Sequence, residues 1–294
     1  MPQLQTNGIT VEYDTFGSDG DRPLLLVMGL GAQMILWDEE FCAMLADRGH
    51  FVIRYDNRDV GLSTKFDDAG VPDMAALMTA RMSGETPAVP YSLDDMADDG
   101  IGVLDALGIE RAHICGASMG GMIVQNMAIR HPQRVHSMTS IMSTTGNPEL
   151  SPASPEAMGA LMTPAPTDLD GYVARTLDVS RIIGSKGFEF DEARARARAK
   201  RTFERSVYPQ GTARQMAAIV AAGNRAPLLA GVQIPSLVIH GDIDPLVPVD
   251  GAHDTHASLP DAELLIIEGM GHDLPMGAWE QIVGAIAART GAQA

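Results

Sequence analysis

The sequence predicts an α/β fold with a mostly parallel sheet that is flanked by helices. Short, continuously apolar segments are typical of strands that are buried on both faces. These segments alternate with helical segments, an order that favours parallel strands joined by crossover helices. With 294 residues, 45% of them hydrophobic, the chain can bury such a core as one large domain with an insertion.

Each predicted strand can be placed on the sequence. Segment 9–17 alternates apolar and polar residues, which predicts an exposed antiparallel edge strand. Buried parallel strands are predicted at 23–29, 51–57, 112–118, 135–143, 236–242 and 262–269. Helices are predicted between them at 37–48, 93–107, 120–131, 251–258 and 276–289.

The alternation is interrupted once, at 147–232. Helical segments at 168–183, 190–206 and 211–223 follow one another there, without a buried strand. We therefore predict a helical cap (lid) domain at 147–232, inserted before the last two strands. It should cover the ligand-binding edge of an α/β core domain formed by 1–146 and 233–294. Segment 66–92 is too long for an ordinary connection and is expected to add to this cover.

Charge and composition exclude several classes of partner. The formal net charge of −17 opposes binding to nucleic acid or to an anionic membrane surface. The first nine residues do not resemble a secretion signal, and no apolar run is long enough to span a bilayer. Cys42 and Cys115 are expected to be buried thiols, and His253 and His256 lack a third ligand for a metal. We expect a cytoplasmic protein that acts on a small molecule without metal or cofactor.

Ser118 lies in the segment HICGASMGGM, between a predicted buried strand and a predicted helix. A Gly-x-Ser-x-Gly sequence in this position is typical of a nucleophile elbow, a sharp turn that exposes the serine hydroxyl. Gly116 and Gly120 permit the close approach of strand and helix that this turn requires. A tight turn with an incidental serine is the alternative interpretation.

The partners of an activated serine follow later strands. A serine hydroxyl requires a general base, and the base requires an orienting carboxylate. The loop GDIDPLVP offers Asp242 or Asp244, and the loop GMGHDLP offers His272. Serine, acid and histidine therefore occur in the order found in nucleophile-elbow enzymes, each at the end of a parallel strand. The sequence predicts a catalytic triad.

Acyl transfer also requires N–H donors for the developing oxyanion. Met119 follows the nucleophile, and Leu30 lies between two glycines in the loop MGLGAQ after the strand at 23–29. We expect their backbone N–H groups to form the oxyanion hole.

Substrate contacts are predicted from the covering segments, where methionines recur at Met74, Met78, Met82, Met158, Met162 and Met216. The helical spacing of the first three favours burial of one face of a lid helix, whereas a flexible apolar acyl pocket is the functional alternative. Gly29, Met158 and Met162 are the candidate substrate-binding residues. The basic run at 194–201 predicts a solvated helix rather than an anion site, because acidic residues flank it.

Five motifs together resemble the α/β-hydrolase superfamily over nearly the whole chain: LLLVMGLG, RYDNRDVGLS, GASMGG, HGDIDPLVP and IEGMGHDLP. The combination is similar to the bacterial serine esterase branch that includes aclacinomycin methylesterase and the cofactor-free haloperoxidase and lactonase relatives. The resemblance implies the α/β-hydrolase fold with Ser118 as nucleophile, Asp244 as triad acid and His272 as base. It also assigns the oxyanion donors to Leu30 and Met119.

Two departures from the family pattern stand out. The family's DxRGxGxS loop is DNRDVGLS here, so Asp59 replaces the first glycine, while Asp56 and Arg58 are expected to be structural. Many relatives have His-Gly in the oxyanion loop, where this chain has Met28-Gly29.

The predicted activity is that of a carboxylester hydrolase (EC 3.1.1.-) that forms an acyl-enzyme on Ser118. Its expected substrate is a neutral, fairly apolar ester of small to medium size. A lactonase with the same triad, including an acyl-homoserine lactonase, is the alternative, and a ligand-binding receptor with a vestigial triad is a more distant one. A perhydrolase or haloperoxidase side activity is compatible with the same residues. The sequence identifies neither the native substrate nor the oligomeric state.

Overall fold

A computed structural model describes residues 1–291. Within this range eight strands form one sheet: β1 (Gln3–Thr6), β2 (Ile9–Phe16), β3 (Arg22–Val27), β4 (His50–Tyr55), β5 (Ala112–Ala117), β6 (Val135–Ile141), β7 (Ser236–Gly241) and β8 (Ala262–Ile267). The α-helices of this range are α1 (Glu39–Ala46), α2 (Met74–Met82), α3 (Leu93–Ala106), α4 (Met119–Arg130), α5 (Pro155–Met162), α6 (Leu169–Ile183), α7 (Glu192–Arg205), α8 (Pro209–Ala221), α9 (Ala226–Leu229), α10 (Asp250–Ser258) and α11 (Trp279–Gly291).

The sheet has the strand order β1-β2-β4-β3-β5-β6-β7-β8. β2 is antiparallel to both of its neighbours, β1 and β4. The remaining pairs of the sheet, which involve β3 to β8, are parallel. The predicted mostly parallel sheet is therefore confirmed. The prediction that segment 9–17 forms the edge is wrong, because β1 pairs along its outer side. β1 has four residues and buries only Thr6, so no apolar pattern marks it.

Both faces of the sheet are covered, as alternate residues of β3 show. Leu25 and Val27 belong to an apolar cluster with the buried faces of α3 and α4. Leu24 and Leu26 belong to a second cluster with the buried faces of α1 and α11. Because side chains alternate across a strand, one apolar run supplies two cores, and each buried leucine contributes about 2 kcal/mol.

Helices α5 to α9 connect β6 to β7, which confirms a helical insertion before the last two strands. α6 and α7 share a small apolar cluster around Leu177 and Ala199. α8 and α9 instead contribute Ala218 and Leu229 to the main core. The division of the chain into a core domain and a cap domain at 147–232 stays a prediction.

The basic run of α7 lies beside the start of α1. Arg194 donates to Asp38 and to Glu40, in each case at 2.6 Å, and Arg201 contacts Glu39 at 2.6 Å. These charges join a cap helix to the core. The exposed positions of Arg196, Lys200 and Arg201 agree with the predicted solvated helix, although part of its charge pairs with the start of α1.

The methionines of helix α2 are more exposed than the sequence predicts. Met78 is 48% exposed and Met82 is 85% exposed, whereas Leu77 is the buried residue of the helix. The methionines keep the predicted helical spacing, but the predicted burial is wrong for Met78 and Met82; α2 packs mainly against α8. Along residues 1–291, no helix combines the length and apolar character needed to cross a membrane.

Candidate active site

Ser118 occupies a sharp turn between β5 and α4. Its φ of 56° and ψ of −120° are unusual for a residue with a side chain, and strain of this kind clusters at functional sites. A Cβ at Gly116 would lie 2.0 Å from the carbonyl oxygen of Gly120, and one at Gly120 would lie 2.0 Å from that of Val27. Strand, turn and helix approach each other so closely that only glycine fits at both positions.

The structure brings Ser118, Asp244 and His272 together. His272 Nε2 lies 3.0 Å from Ser118 Oγ, and His272 Nδ1 lies 2.7 Å from Asp244 Oδ2. Because a carboxylate only accepts hydrogen bonds, Nδ1 carries the proton and Nε2 presents its lone pair to the hydroxyl. The three side chains have the hydrogen-bonding order of a nucleophile, a base and an orienting acid.

The geometry separates the two candidate acids. The side chain of Asp244 is buried, and its Oδ1 accepts the N–H groups of Leu246 and Val247 at 2.8 and 2.9 Å. Asp242 is exposed, and its Oδ1 accepts the N–H of Gly269 at 2.6 Å. Asp244 therefore faces His272, whereas Asp242 joins two neighbouring loops.

His240 supports the loop that carries the acid. It is fully buried, and its Nε2 donates to the carbonyl of Val247 at 2.8 Å, while Asp244 Oδ2 lies 3.5 Å from the same nitrogen. Burial lowers the pKa of His240, so the ring stays neutral. It is a core histidine, as its place in a predicted strand suggests.

The predicted oxyanion donors belong to the two segments that meet at the nucleophile. Met119 is the first residue of α4, and Leu30 follows β3. A Cβ at Gly29 would lie 3.1 Å from Ser118 Cβ, so the Gly29 backbone borders the nucleophile. Neither the Leu30 nor the Met119 N–H donates to an acceptor in the part of the chain that the structure describes. Both donors are therefore available to a ligand.

Gln215 of α8 holds the oxyanion loop in place. This buried side chain accepts the Gly31 N–H at 2.7 Å and donates through Nε2 to the Arg58 carbonyl at 2.8 Å. Asn57 Nδ2 donates to the Met28 carbonyl at 2.8 Å from the other side. Sequence reasoning missed Gln215, which is 184 residues from Gly31 and carries no local signal.

Asp59, which replaces a glycine of the family pattern, has a φ of 67° and is fully buried. Arg214 of α8 donates to both of its oxygens at 2.8 and 2.9 Å, and the Tyr91 hydroxyl donates at 2.7 Å. Burial alone raises the pKa of Asp59, but hydrogen bonds, above all from Arg214, outweigh burial and hold it below its usual value. This ion pair fixes α8 to the loop.

The other charged residues of this loop are also paired. Asp56 accepts the Met34 N–H at 2.8 Å and contacts Arg205 of α7 at 2.6 Å. Arg58 contacts Asp99 of α3 at 2.6 Å. These buried contacts fit the structural role expected for Asp56 and Arg58.

A cavity of about 340 Å³ opens between the oxyanion loop and the cap helices. Leu30 and Gly31 border one side of it, and three methionines line it: Met74, Met162 and Met216. Met158 lies one turn before Met162 on α5 and does not line this cavity, because only the C-terminal end of α5 borders it. Of the two candidate methionines, the cavity supports a substrate contact only for Met162.

Among residues 1–291, no group of three or more His, Cys, Asp or Glu side chains is arranged to hold a metal ion. Cys42 and Cys115 are both buried free thiols.

Residues 22–277 match the family model for the α/β-hydrolase fold. The chain belongs to the α/β-hydrolase family. This α/β hydrolase is 30% identical to rhodomycin D methylesterase DauP of Streptomyces sp. (strain C5), with 96% of the chain and 95% of the relative covered. With such esterase relatives, the protein is an enzyme of the carboxylesterase type whose substrate is a small molecule.

Two solved structures show the same fold. The enol-lactonase from Burkholderia xenovorans LB400 has a TM-score of 0.74 at 23% identity, with 98% of this hydrolase and 99% of that chain covered. Est816, described as an N-acyl homoserine lactone degrading enzyme, has a TM-score of 0.70 at 26% identity, with 99% of each chain covered. Both coverages include helices α5 to α9 as well as the sheet.

Proposed function

We propose that this hydrolase cleaves a fairly apolar carboxylic ester through an acyl-enzyme on Ser118. Ser118 Oγ attacks the ester carbonyl while His272 Nε2 takes its proton, and Asp244 stabilises the resulting imidazolium. The N–H groups of Leu30 and Met119 stabilise the oxyanion. His272 then protonates the departing alcohol, and water repeats the sequence to release the acid.

The distance of 3.0 Å between His272 Nε2 and Ser118 Oγ carries this proposal, because general-base catalysis requires hydrogen-bond contact between these atoms. The substrate class rests on similarity to a methylesterase and on the mainly apolar lining of the neighbouring cavity, which borders Leu30 although neither Ser118 nor His272 lines it. A cytoplasmic location stays a prediction.

The test is hydrolysis of p-nitrophenyl butyrate and labelling by a fluorophosphonate. Wild-type protein should turn over the ester and form one adduct, which peptide mass spectrometry should locate on Ser118. Ser118→Ala should lose at least about a thousandfold in kcat and take no label, with an unchanged circular dichroism spectrum. Wild-type turnover by a folded Ser118→Ala variant would refute the proposal, and negligible turnover of every ester would favour the receptor alternative.

The two neighbouring aspartates provide a matched control. Asp244→Asn should reduce kcat by about a thousandfold or more, because the amide favours the wrong tautomer of His272. Asp242→Asn removes a carboxylate two residues away that does not contact His272 and should keep most of the activity. The opposite ranking would assign the acid to Asp242.

Lactone hydrolysis is the second candidate. It is supported by the similarity to Est816, and the same attack on a cyclic ester would open a ring instead of releasing an alcohol. Acid release from a panel of acyl-homoserine lactones and linear methyl esters of matched length, measured by pH-stat, separates the two activities. A kcat/KM at least about tenfold higher for lactones would identify a lactonase.

A further inference from the structure

Only two charged side chains line the cavity beside the oxyanion loop, within the described residues: Asp59 and Arg175. The Asp59 carboxylate is neutralised by Arg214 and is also bound by the Tyr91 hydroxyl. Arg175 of α6 has no comparable partner among residues 1–291. The cavity therefore holds one positive charge without a carboxylate partner, in an otherwise uncharged lining of apolar and neutral polar side chains.

The hydrogen bonds of Arg175 leave donors unused. Its Nη2 donates to the carbonyl of Ala160 at 3.1 Å and to that of Thr163, both at the end of α5. Its Nε is buried and has no acceptor, and Nη1 donates to none, within residues 1–291. No carboxylate pairs with this guanidinium in the same range, although most arginines of the cap helices form such pairs. An unpaired buried donor costs free energy unless a ligand satisfies it.

A structural role in holding α5 to α6 explains the two hydrogen bonds that Arg175 donates through Nη2. It does not explain why Nε and Nη1 have no acceptor. Burial lowers the pKa of Arg175, yet a guanidinium remains charged at neutral pH. In a chain with a net charge of −17, an anionic ligand is repelled at long range and requires a local cation to bind. Arg175 supplies that cation inside the cavity.

We propose that Arg175 binds a carboxylate at the end of the substrate remote from the scissile ester, so that the preferred substrates are half-esters of dicarboxylic acids with an apolar spacer. This inference rests on the proposed ester hydrolysis and refines it. It departs from the neutral substrate that the sequence predicts. The Met74, Met162 and Met216 side chains would contact the spacer, and the oxyanion loop would receive the ester carbonyl.

The first experiment compares two series of methyl esters with wild-type protein. The monomethyl esters of succinic to suberic acid differ from methyl butanoate to methyl octanoate only by a terminal carboxylate in place of a methyl group. At one spacer length the half-ester should have a kcat/KM about ten- to a hundredfold above that of its neutral counterpart. Equal values or a preference for the neutral ester at every length would overturn the inference.

The second experiment changes the cation. Arg175→Met should remove the preference for the best half-ester, and Arg175→Lys should keep part of it. If Arg175 served only to hold α5, both ester series would lose activity in equal proportion and their ratio would not change. Arg181→Met is the matched control, because Arg181 is on the same helix but pairs with Asp178 and Glu192 at the surface. It should leave the ratio as in wild-type protein.

A binding measurement distinguishes failure of the proposed role of Arg175 from failure of the proposed ester hydrolysis. In Ser118→Ala protein, isothermal titration calorimetry should give a Kd for the best half-ester about tenfold or more below that of its neutral counterpart. This result would support the role of Arg175 even if wild-type protein hydrolysed neither ester. If wild-type protein hydrolysed both ester series equally well, and Ser118→Ala protein bound both with equal Kd values, the proposed role of Arg175 would be refuted. The proposed ester hydrolysis would still stand.

Discussion

At the residue scale, Gly120 shows how little freedom the turn around Ser118 has. A Cβ at this position would meet the Val27 carbonyl oxygen at 2.0 Å, and backbone cannot move aside as a flexible side chain can. Gly120→Ala should lower the free energy of unfolding by about 2–4 kcal/mol and reduce esterase activity, because α4 must shift away from β3. Urea unfolding and ester turnover measure the two effects.

Gly284→Ala is the control for this substitution. Gly284 lies inside α11, and no atom of residues 1–291 is close to an added Cβ, so alanine should stabilise the protein by about 0.5–1 kcal/mol. If both variants were equally stable, the close approach at Gly120 would have no energetic consequence.

Asp59 and Arg214 form a second test at this scale. Arg214→Met leaves a carboxylate buried without its cation and should cost about 3–5 kcal/mol in urea unfolding. The double variant Asp59→Gly/Arg214→Met removes the charge and provides glycine at a φ of 67°, so it should be clearly more stable than Arg214→Met alone. A double variant as unstable as Arg214→Met would show that the ion pair is not the source of the loss.

At the element scale, α8 connects the helical insertion between β6 and β7 to the loops that contain Asp59 and Gly31. Through Arg214 it holds the loop that contains Asp59, and through Gln215 it holds the Gly31 N–H, next to the proposed oxyanion donor Leu30. A Cβ at Gly31 would lie 2.6 Å from the Thr212 side chain, so helix and loop are in direct contact. The position of α8 therefore sets the position of the oxyanion loop.

This arrangement predicts that Gln215→Leu lowers kcat by about ten- to a hundredfold with little change in KM. The leucine preserves approximate volume but leaves the Gly31 N–H without its acceptor, so the adjacent donor loses its alignment. Gln210→Leu changes an exposed glutamine of the same helix and should retain normal kinetics. A rise in KM at unchanged kcat would instead indicate that Gln215 contributes to substrate binding alone.

At the scale of the whole molecule, buried histidines make stability depend on pH. Burial, with a smaller effect of the neighbouring His136, lowers the pKa of His113 to about 3, and Ser137 Oγ lies 2.7 Å from its Nδ1. As the pH falls, the His113 ring of the unfolded chain is protonated near pH 6.5. In the folded chain the same ring is protonated only near pH 3. Stability from this group is therefore complete above pH 6.5 and decreases as the pH falls toward 3.

Between pH 7.5 and pH 5 this group should remove about 2 kcal/mol from the free energy of unfolding. His113→Gln retains a polar side chain beside Ser137 but cannot titrate, so it should lose about 2 kcal/mol less over that interval. Urea unfolding at both pH values gives the difference. His253→Gln, at an exposed position of α10, is the control, and a loss equal to that of wild-type protein in His113→Gln would contradict the prediction.

Several features of the fold and site follow from the sequence because their signals are local. The strands from β3 to β8 were predictable from apolar runs, and the elbow was predictable from the small residues on both sides of Ser118, since both patterns can be read within a few residues of chain. The order of Ser118, Asp244 and His272 was also predictable, because parallel strands bring their carboxyl ends to one edge. The short strand β1 and the exposed face of α2 were not predictable from pattern, since pairing and packing with distant segments decide them.

By itself, the sequence determined the fold class, the hydrolase family and the set of residues from which a triad could be drawn. Only the tertiary structure decided that Asp244 rather than Asp242 contacts His272, and that Gln215 supports the loop of Leu30 and Gly31. It also decided that Arg175 lines the cavity and pairs with no carboxylate of the described residues. The reason is physical: backbone turns and apolar periodicity arise between near neighbours, whereas hydrogen bonds, charge pairing and cavities depend on atoms that are far apart in the chain.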